Sequence, residues 1–237
     1  MGVTTPVTLA ALQDYFPDGA FVRRVWPLPE YGCVYVKNAK AASSTILLWL
    51  HRIHTGDHEA NPGNIHRNHD LPRARQVGMN TVVRMLAGDA FRFSFVREPV
   101  RRFESAYLDR IVARRKPAWR GRVQQTLGLP VDPEHVPTFD QFVAALEALP
   151  PIELDPHWRP QHLNLMYGLV DLDFVGRLES FDTDLERVRL TVGLPPVPMQ
   201  VRNAHPRKES LFDGRPDLLR RVRAVYARDF ELYGYQG

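Results

Sequence analysis

Three stretches of this sequence share one order: a short apolar run, a polar loop, then apolar residues at helical spacing. The first begins at Cys33–Val36 and passes through a loop at 38–43. It continues with Ile46, Leu47, Trp49, Leu50 and Ile53 on one side of a helix. The second has Phe91–Val96, then Pro99 at a first helical position, then Val100, Phe103, Tyr107 and Ile111. The third has 173–176 as strand and 182–192 as helix. Parallel neighbours need crossovers, and crossover helices cover the faces of the sheet. The alternation therefore predicts the α/β class, with a parallel, doubly wound sheet flanked by helices. Ligands of such sheets bind beyond the carboxyl ends of the strands, which points to the first two loops.

The chain has 237 residues, which suits one α/β domain with a core of its own. Residues 1–30 read as an N-terminal arm with a short helix, 31–193 as the core, and 194–237 as a C-terminal loop and helix. Further helices are expected at 81–86, 139–149 and 217–233. The span 114–137 is rich in Arg, Pro and Gly, and reads as an irregular, substrate-facing loop.

Composition removes several classes. The lone cysteine, Cys33, allows no intrachain disulfide and excludes a disulfide-stapled scaffold. No apolar run approaches the roughly 18–20 residues that span a bilayer, and the first residues lack the pattern of a signal peptide, so the expected compartment is the cytoplasm. The net charge is +4, and of 31 basic residues only Lys37, Lys40, Lys116 and Lys208 are lysine. Arginine's planar fork suits phosphate, sulfate and carboxylate. Acids are interspersed with these bases and no aromatic-basic motif stands out, so nucleic acid is not the expected partner.

The first loop, from Tyr35 to Thr45, reads Tyr-Val-Lys-Asn-Ala-Lys-Ala-Ala-Ser-Ser-Thr. Amides at a helix start favour an anion. Ser43, Ser44 and Thr45 add hydroxyls, Lys40 adds a charge, and Ala41 and Ala42 let backbone come close to a ligand. Taken alone, the loop is also compatible with an ordinary serine-capped helix. It is not a Walker A loop, because Lys40 is followed by Ala41 rather than Ser or Thr.

The second loop reads Phe95-Val-Arg-Glu-Pro-Val-Arg-Arg-Phe-Glu-Ser-Ala-Tyr107. Arg97 ends a strand, Pro99 opens a helix, and Ser105 lies about six residues further in, roughly 9 Å along the helix axis at ~1.5 Å per residue. The two can grip one phosphate from two sides. Here the chain resembles the sulfotransferases that use 3′-phosphoadenosine 5′-phosphosulfate (PAPS), in particular the carbohydrate sulfotransferases of the chondroitin, dermatan and HNK-1 type. The resemblance rests on Arg97, Glu98, Pro99, Arg102, Ser105 and Tyr107 in one motif, and on Lys40, Ser43 and Ser44 in another. A third stretch, Asp155-Pro-His-Trp-Arg-Pro-Gln161 followed by Asp173-Phe-Val-Gly-Arg-Leu-Glu179, also looks familial. Together they cover about residues 33–193. The chain departs from the pattern where Asn38-Ala39 stand in place of a usual proline before Lys40, and where Ala42 replaces a frequent glycine.

The resemblance implies a P-loop-like sulfotransferase fold, PAPS as co-substrate, 3′,5′-ADP as product, no metal, and a hydroxyl-bearing glycan or small-molecule acceptor. It implies Lys40, Ala42, Ser43, Ser44 and Thr45 at the 5′-phosphosulfate, with Lys40 also stabilising charge on the bridging oxygen. Arg97 and Ser105 would hold the 3′-phosphate. The loop His205-Pro-Arg-Lys208 is either a solvated turn or brings Arg207 and Lys208 over that phosphate. The family's general base is a histidine or glutamate between the two donor motifs. His69 is the first candidate here and His66 the second; their spacing also fits solvated loop histidines or a metal pair. A non-catalytic module for anionic glycans or nucleic acid, with the arginines acting as a surface patch, is the rival reading.

Overall fold

The apolar run Cys33–Val36 forms strand β2 with all four residues buried, as a strand covered on both faces must be. A computed structural model describes residues 6–113, 117–132, 134–198 and 209–236. Among them the sheet runs in the order β1 (Val25–Leu28), β2, β3 (Phe91–Val96), β4 (Phe174–Arg177). The strands β2, β3 and β4 are parallel, whereas β1 pairs antiparallel with β2 and sets Trp26 opposite Tyr35. The sheet is thus mixed, and its parallel part runs without the reversal of strand order that defines a doubly wound sheet. Residues 1–30 are more than an arm, since they supply the edge strand β1. Pro27, which cannot donate to a ladder, is tolerated at that edge.

The helices are α1 (Leu9–Tyr15), α2 (Ser43–Thr55), α3 (Ala74–Val77), α4 (Met79–Arg84), α5 (Pro99–Ala106), α6 (Pro117–Thr126), α7 (Phe139–Glu147), α8 (Gln161–Asn164), α9 (Phe181–Val192), α10 (Pro216–Val225) and α11 (Ala227–Tyr233). The chain forms two compact units, Met1–Val96 with Asn164–Ala204 and Arg97–Leu163 with His205–Gly237.

The first unit holds the sheet, α1 to α4 and α9. Its core joins Tyr35, Phe93 and Phe95 to Ile46, Leu47, Trp49 and Leu50. Helix α2 is buried all round from Thr45 to Ile53, not on one side as its spacing predicts. Even Arg52 is buried, donating to the carbonyls of Ala60 and Pro198. Arg92 and Asp173 form a bidentate pair at 2.8 Å that ties β3 to the start of β4.

The second unit packs α5, α7, α10 and α11 around Phe103, Phe142, Trp158 and Tyr226. Phe103 stacks on Phe142 with centroids 4.7 Å apart. Each such fully buried ring contributes roughly 1.5–3 kcal/mol of transfer free energy. The span 114–137 is not an irregular loop, because it contains α6. That helix is docked largely by buried polar side chains, so it carries no clear apolar periodicity. Buried Arg120 donates to the carbonyls of Ile111 and Val112, and Gln124 exchanges two hydrogen bonds with the backbone of Asp132. The expected helix 217–233 is broken at Tyr226, whose φ of −98° and ψ of 12° separate α10 from α11.

Candidate active site

In the first unit, the loop after β2 ends at a helix start without a side-chain cap. The N-cap residue Ala42 has φ 56°, and Lys40 has φ 67°. An L-residue in this left-handed region costs roughly 1–2 kcal/mol, and such strain concentrates at ligand sites. The loop tolerates it because both flanks are tethered. The Lys37 amide donates to the Arg24 carbonyl at 2.7 Å. Fully buried Asn38 donates to the Phe95 carbonyl at 3.1 Å and accepts from Asn164 at 3.4 Å. The result is an open helix end, with Lys40 and Ala42 shaping the turn before it and Ser43 and Ser44 half-buried in its first turn. The Ser43 hydroxyl bonds no described residue, whereas Thr45 is buried. These residues fit a phosphate-type group: amide donors, hydroxyl donors and a lysine at one end of a 13-residue helix.

The two candidate histidines occupy different surroundings. His66 Nε2 lies 2.9 Å from Ser44 Oγ, so it belongs to the helix start. Its backbone is held by an Asn64 turn, with the His66 amide donating to Asn64 Oδ1 at 3.2 Å. His69 packs edge-on to Trp26, and its Nε2 accepts from Arg73 Nη2 at 2.9 Å. Burial, then the charges of Arg73 and His51, push the His69 pKa below the ordinary histidine value. Among the described residues no group of three or more His, Cys, Asp or Glu side chains converges as a metal site. Burial, with a contribution from Glu30, pushes the Cys33 thiol up to about 12 and leaves it without thiolate character.

In the second unit, Arg97 is the first residue and α5 follows at once. Glu98 is the N-cap and accepts from the amides of Val100 and Arg101 at 3.1 and 2.6 Å, while Pro99 takes the first helical position. The Arg-Glu-Pro order is therefore a helix start that leaves Arg97 just outside it. Ser105 sits in the last turn, half-buried, and its hydroxyl bonds no described residue. The other motif residues have packing roles. Arg102, fully buried, donates to the carbonyls of Arg159 at 2.8 Å and Pro156 at 2.9 Å, and Tyr107 donates to the Pro137 carbonyl at 3.1 Å.

The stretch from Asp155 to Gln161 acquires roles that spacing did not reveal. Buried Asp155 accepts from His157 Nδ1 at 2.6 Å and from Arg122 and Trp119. Burial raises its pKa, but the bonds and charge of His157, with Arg122, prevail and hold it at about 2. Trp158 is core, and its carbonyl accepts from the Tyr226 hydroxyl. The Gln161 side chain bonds both backbone polar groups of Arg97. Gly176 is explained by steric need, since a Cβ there would sit 2.5 Å from the Phe95 ring. Arg207 and Lys208 lie outside the described residues.

The profile of the sulfotransferase family matches residues 23–236. Carbohydrate sulfotransferase 14 of Homo sapiens is 31% identical over 159 residues, which is 61% of this chain and 42% of that protein. Carbohydrate sulfotransferase 14 of Mus musculus is 30% identical over the same length. The chain thus matches less than half the length of these relatives. No solved structure matches it at a significant level. Among the described residues no helix is long and apolar enough to cross a membrane.

Proposed function

We propose that this chain, which belongs to the sulfotransferase family, transfers a sulfuryl group from PAPS to a carbohydrate hydroxyl and releases 3′,5′-ADP. The observation that carries the reading is the helix start at Ala42–Ser43. It is uncapped, preceded by two left-handed L-residues, and furnished with Lys40. A fold accepts that strain where backbone must approach an anion closely. The carbohydrate acceptor comes from the names of the relatives, both carbohydrate sulfotransferases.

PAPS supplies a sulfuryl group already activated on its 5′-phosphate. Sulfuryl transfer resembles phosphoryl transfer, in which alignment and charge stabilisation do most of the work. Lys40 places a positive charge where negative charge develops on the leaving oxygen. Ser43, Ser44, Thr45 and the first amides of α2 hold the 5′ end. Arg97 and Ser105 hold the 3′-phosphate, Arg97 as a forked donor. The acceptor hydroxyl gives its proton to a general base. Of the two histidines, His66 suits this role better, because its ring nitrogen lies at the helix start. The lone pair of His69 Nε2 is taken by Arg73.

Calorimetric titration with 3′,5′-ADP, against 5′-AMP as control, tests the donor site. Binding that depends on the 3′-phosphate is expected. No binding of 3′,5′-ADP would leave the anionic-glycan module as the better reading. Incubation with radiolabelled PAPS and a panel of glycans then tests the acceptor, and label appearing only on non-carbohydrate hydroxyls would overturn that part.

A further inference from the structure

We propose that Gln161 and Asp229 are positioning residues that fix Arg97 for recognition of the 3′-phosphate, an inference that rests on the donor reading above. All three belong to the second unit. The Gln161 carboxamide uses both its ends on a single residue: Oε1 accepts from the Arg97 amide at 3.0 Å, and Nε2 donates to the Arg97 carbonyl at 2.8 Å. One hydrogen bond leaves a peptide free to swing about it. Two, to the N–H and C=O of the same residue, set its φ and ψ as a strand partner would, and so set the direction of the Cα–Cβ bond. Arg97 lies at the junction where β3 ends at Val96 and α5 begins at Pro99, so the Gln161 carboxamide grips the backbone where strand gives way to helix.

The clamp is itself held. Gln161 and Asp229 are both 0% exposed. Asp229 accepts from the Gln161 amide at 2.6 Å, from the His162 amide at 2.9 Å and from His162 Nδ1 at 2.7 Å. Burying a carboxylate is costly unless its oxygens are bonded, and all three of these bonds go to the two residues that start α8. The break at Tyr226 starts a new helix, α11, with Asp229 in its first turn. The order of support is therefore Asp229 to the backbone of 161–162, Gln161 to the backbone of 97, and Arg97 to the ligand.

A positional role differs from a general packing role in what it moves. Discarding the clamp should weaken the ligand that carries a 3′-phosphate and spare the one that lacks it. The experiment measures Kd for 3′,5′-ADP and for 5′-AMP with the wild type and with Gln161→Leu, together with thermal melting of each. The expected result is a fall of about tenfold in 3′,5′-ADP affinity with 5′-AMP affinity unchanged, and a smaller fall of the same kind in Asp229→Asn. If Gln161→Leu does not fold, Gln161→Glu replaces it, since it keeps the volume and the acceptor but loses the donor to the Arg97 carbonyl. A wild type that does not distinguish the two nucleotides overturns the donor reading and this inference with it. A wild type that distinguishes them, beside a folded Gln161 variant with the same ratio, overturns this inference alone.

Discussion

Ser44 Oγ and His66 Nε2 lie 2.9 Å apart at the first turn of α2, while three residues further on His69 is turned to Arg73 and Trp26. The two histidines therefore predict different kinetics. His66→Ala should lower kcat by about 10²–10⁴-fold, the usual size of a lost general base, with melting temperature little changed because His66 is exposed. His69→Ala should leave kcat within a few-fold and lower stability instead, since it removes an acceptor from Arg73 and an edge contact from Trp26. Steady-state rates and thermal melts of the two variants decide it, and retained turnover in His66→Ala sinks the assignment.

The strained turn gives a second prediction, with an opposite-signed partner on β4. Ala42→Gly relieves a left-handed L-residue worth roughly 1–2 kcal/mol and gives back part of that in glycine's extra unfolded-state freedom. A net gain of about 0.5–1 kcal/mol is expected. Gly176→Ala places a Cβ 2.5 Å from the ring of Phe95, which is itself packed against Phe181 at 5.2 Å. Overpacking of this sort costs about 1–3 kcal/mol. Thermal melting should shift up in the first variant and down in the second. A fall in Ala42→Gly would show that the left-handed turn is not what limits stability there.

The two arginines of the second motif should separate binding from folding. Arg97→Ala removes a charged hydrogen-bond donor worth about 1.5–3 kcal/mol, so 3′,5′-ADP affinity should fall roughly 10- to 150-fold with little change in melting. Arg102→Ala leaves the carbonyls of Pro156 and Arg159 without their donor in a buried place, and each orphaned group costs about 1–3 kcal/mol. Its signature is loss of stability before any specific loss of ligand. Equal effects of the two variants on binding and on melting would remove the distinction.

How much of this was legible in the sequence depended on how local the cause was. The loop 38–43 and the Arg-Glu-Pro helix start announce themselves through adjacent residues, so Lys40, Ser43, Ser44, Arg97 and Ser105 could be singled out from spacing. Asn38 looked like a mere departure from a family proline, yet it tethers the loop to Phe95, 57 residues away. Gln161 reaches Arg97 across 64 residues and Asp229 reaches Gln161 across 68. No periodicity records such contacts. Helix α6 escaped for a related reason: its buried face carries Arg120 and Gln124, whose partners are backbone groups of the preceding and following turns. Strand β1 was hidden in what read as an arm because an edge strand with a proline lacks the usual pattern.

Acid should destabilise the protein in two separate stages. His51 and His69 have pKa values lowered chiefly by burial from the ordinary value of 6.5. Above that value both are neutral in the folded and unfolded chain and cost nothing. As pH falls below it, the unfolded chain takes up protons first, so stability declines until the folded pKa values are reached. Asp155 works in a lower window. Its folded pKa of about 2 against an ordinary 3.8 contributes stability above 3.8 that is lost as pH falls towards 2, about 2 kcal/mol at 1.36 kcal/mol per unit. Asp173, lowered first by its bond to Arg92, adds to the same acid limb. Denaturant midpoints measured from pH 8 to pH 3 should therefore show one decline beginning near 6.5 and a second below 4. Asp155→Asn should flatten the second and leave the first in place, and an unchanged acid limb in that variant would show that the Asp155–His157 bond is not what the fold loses in acid.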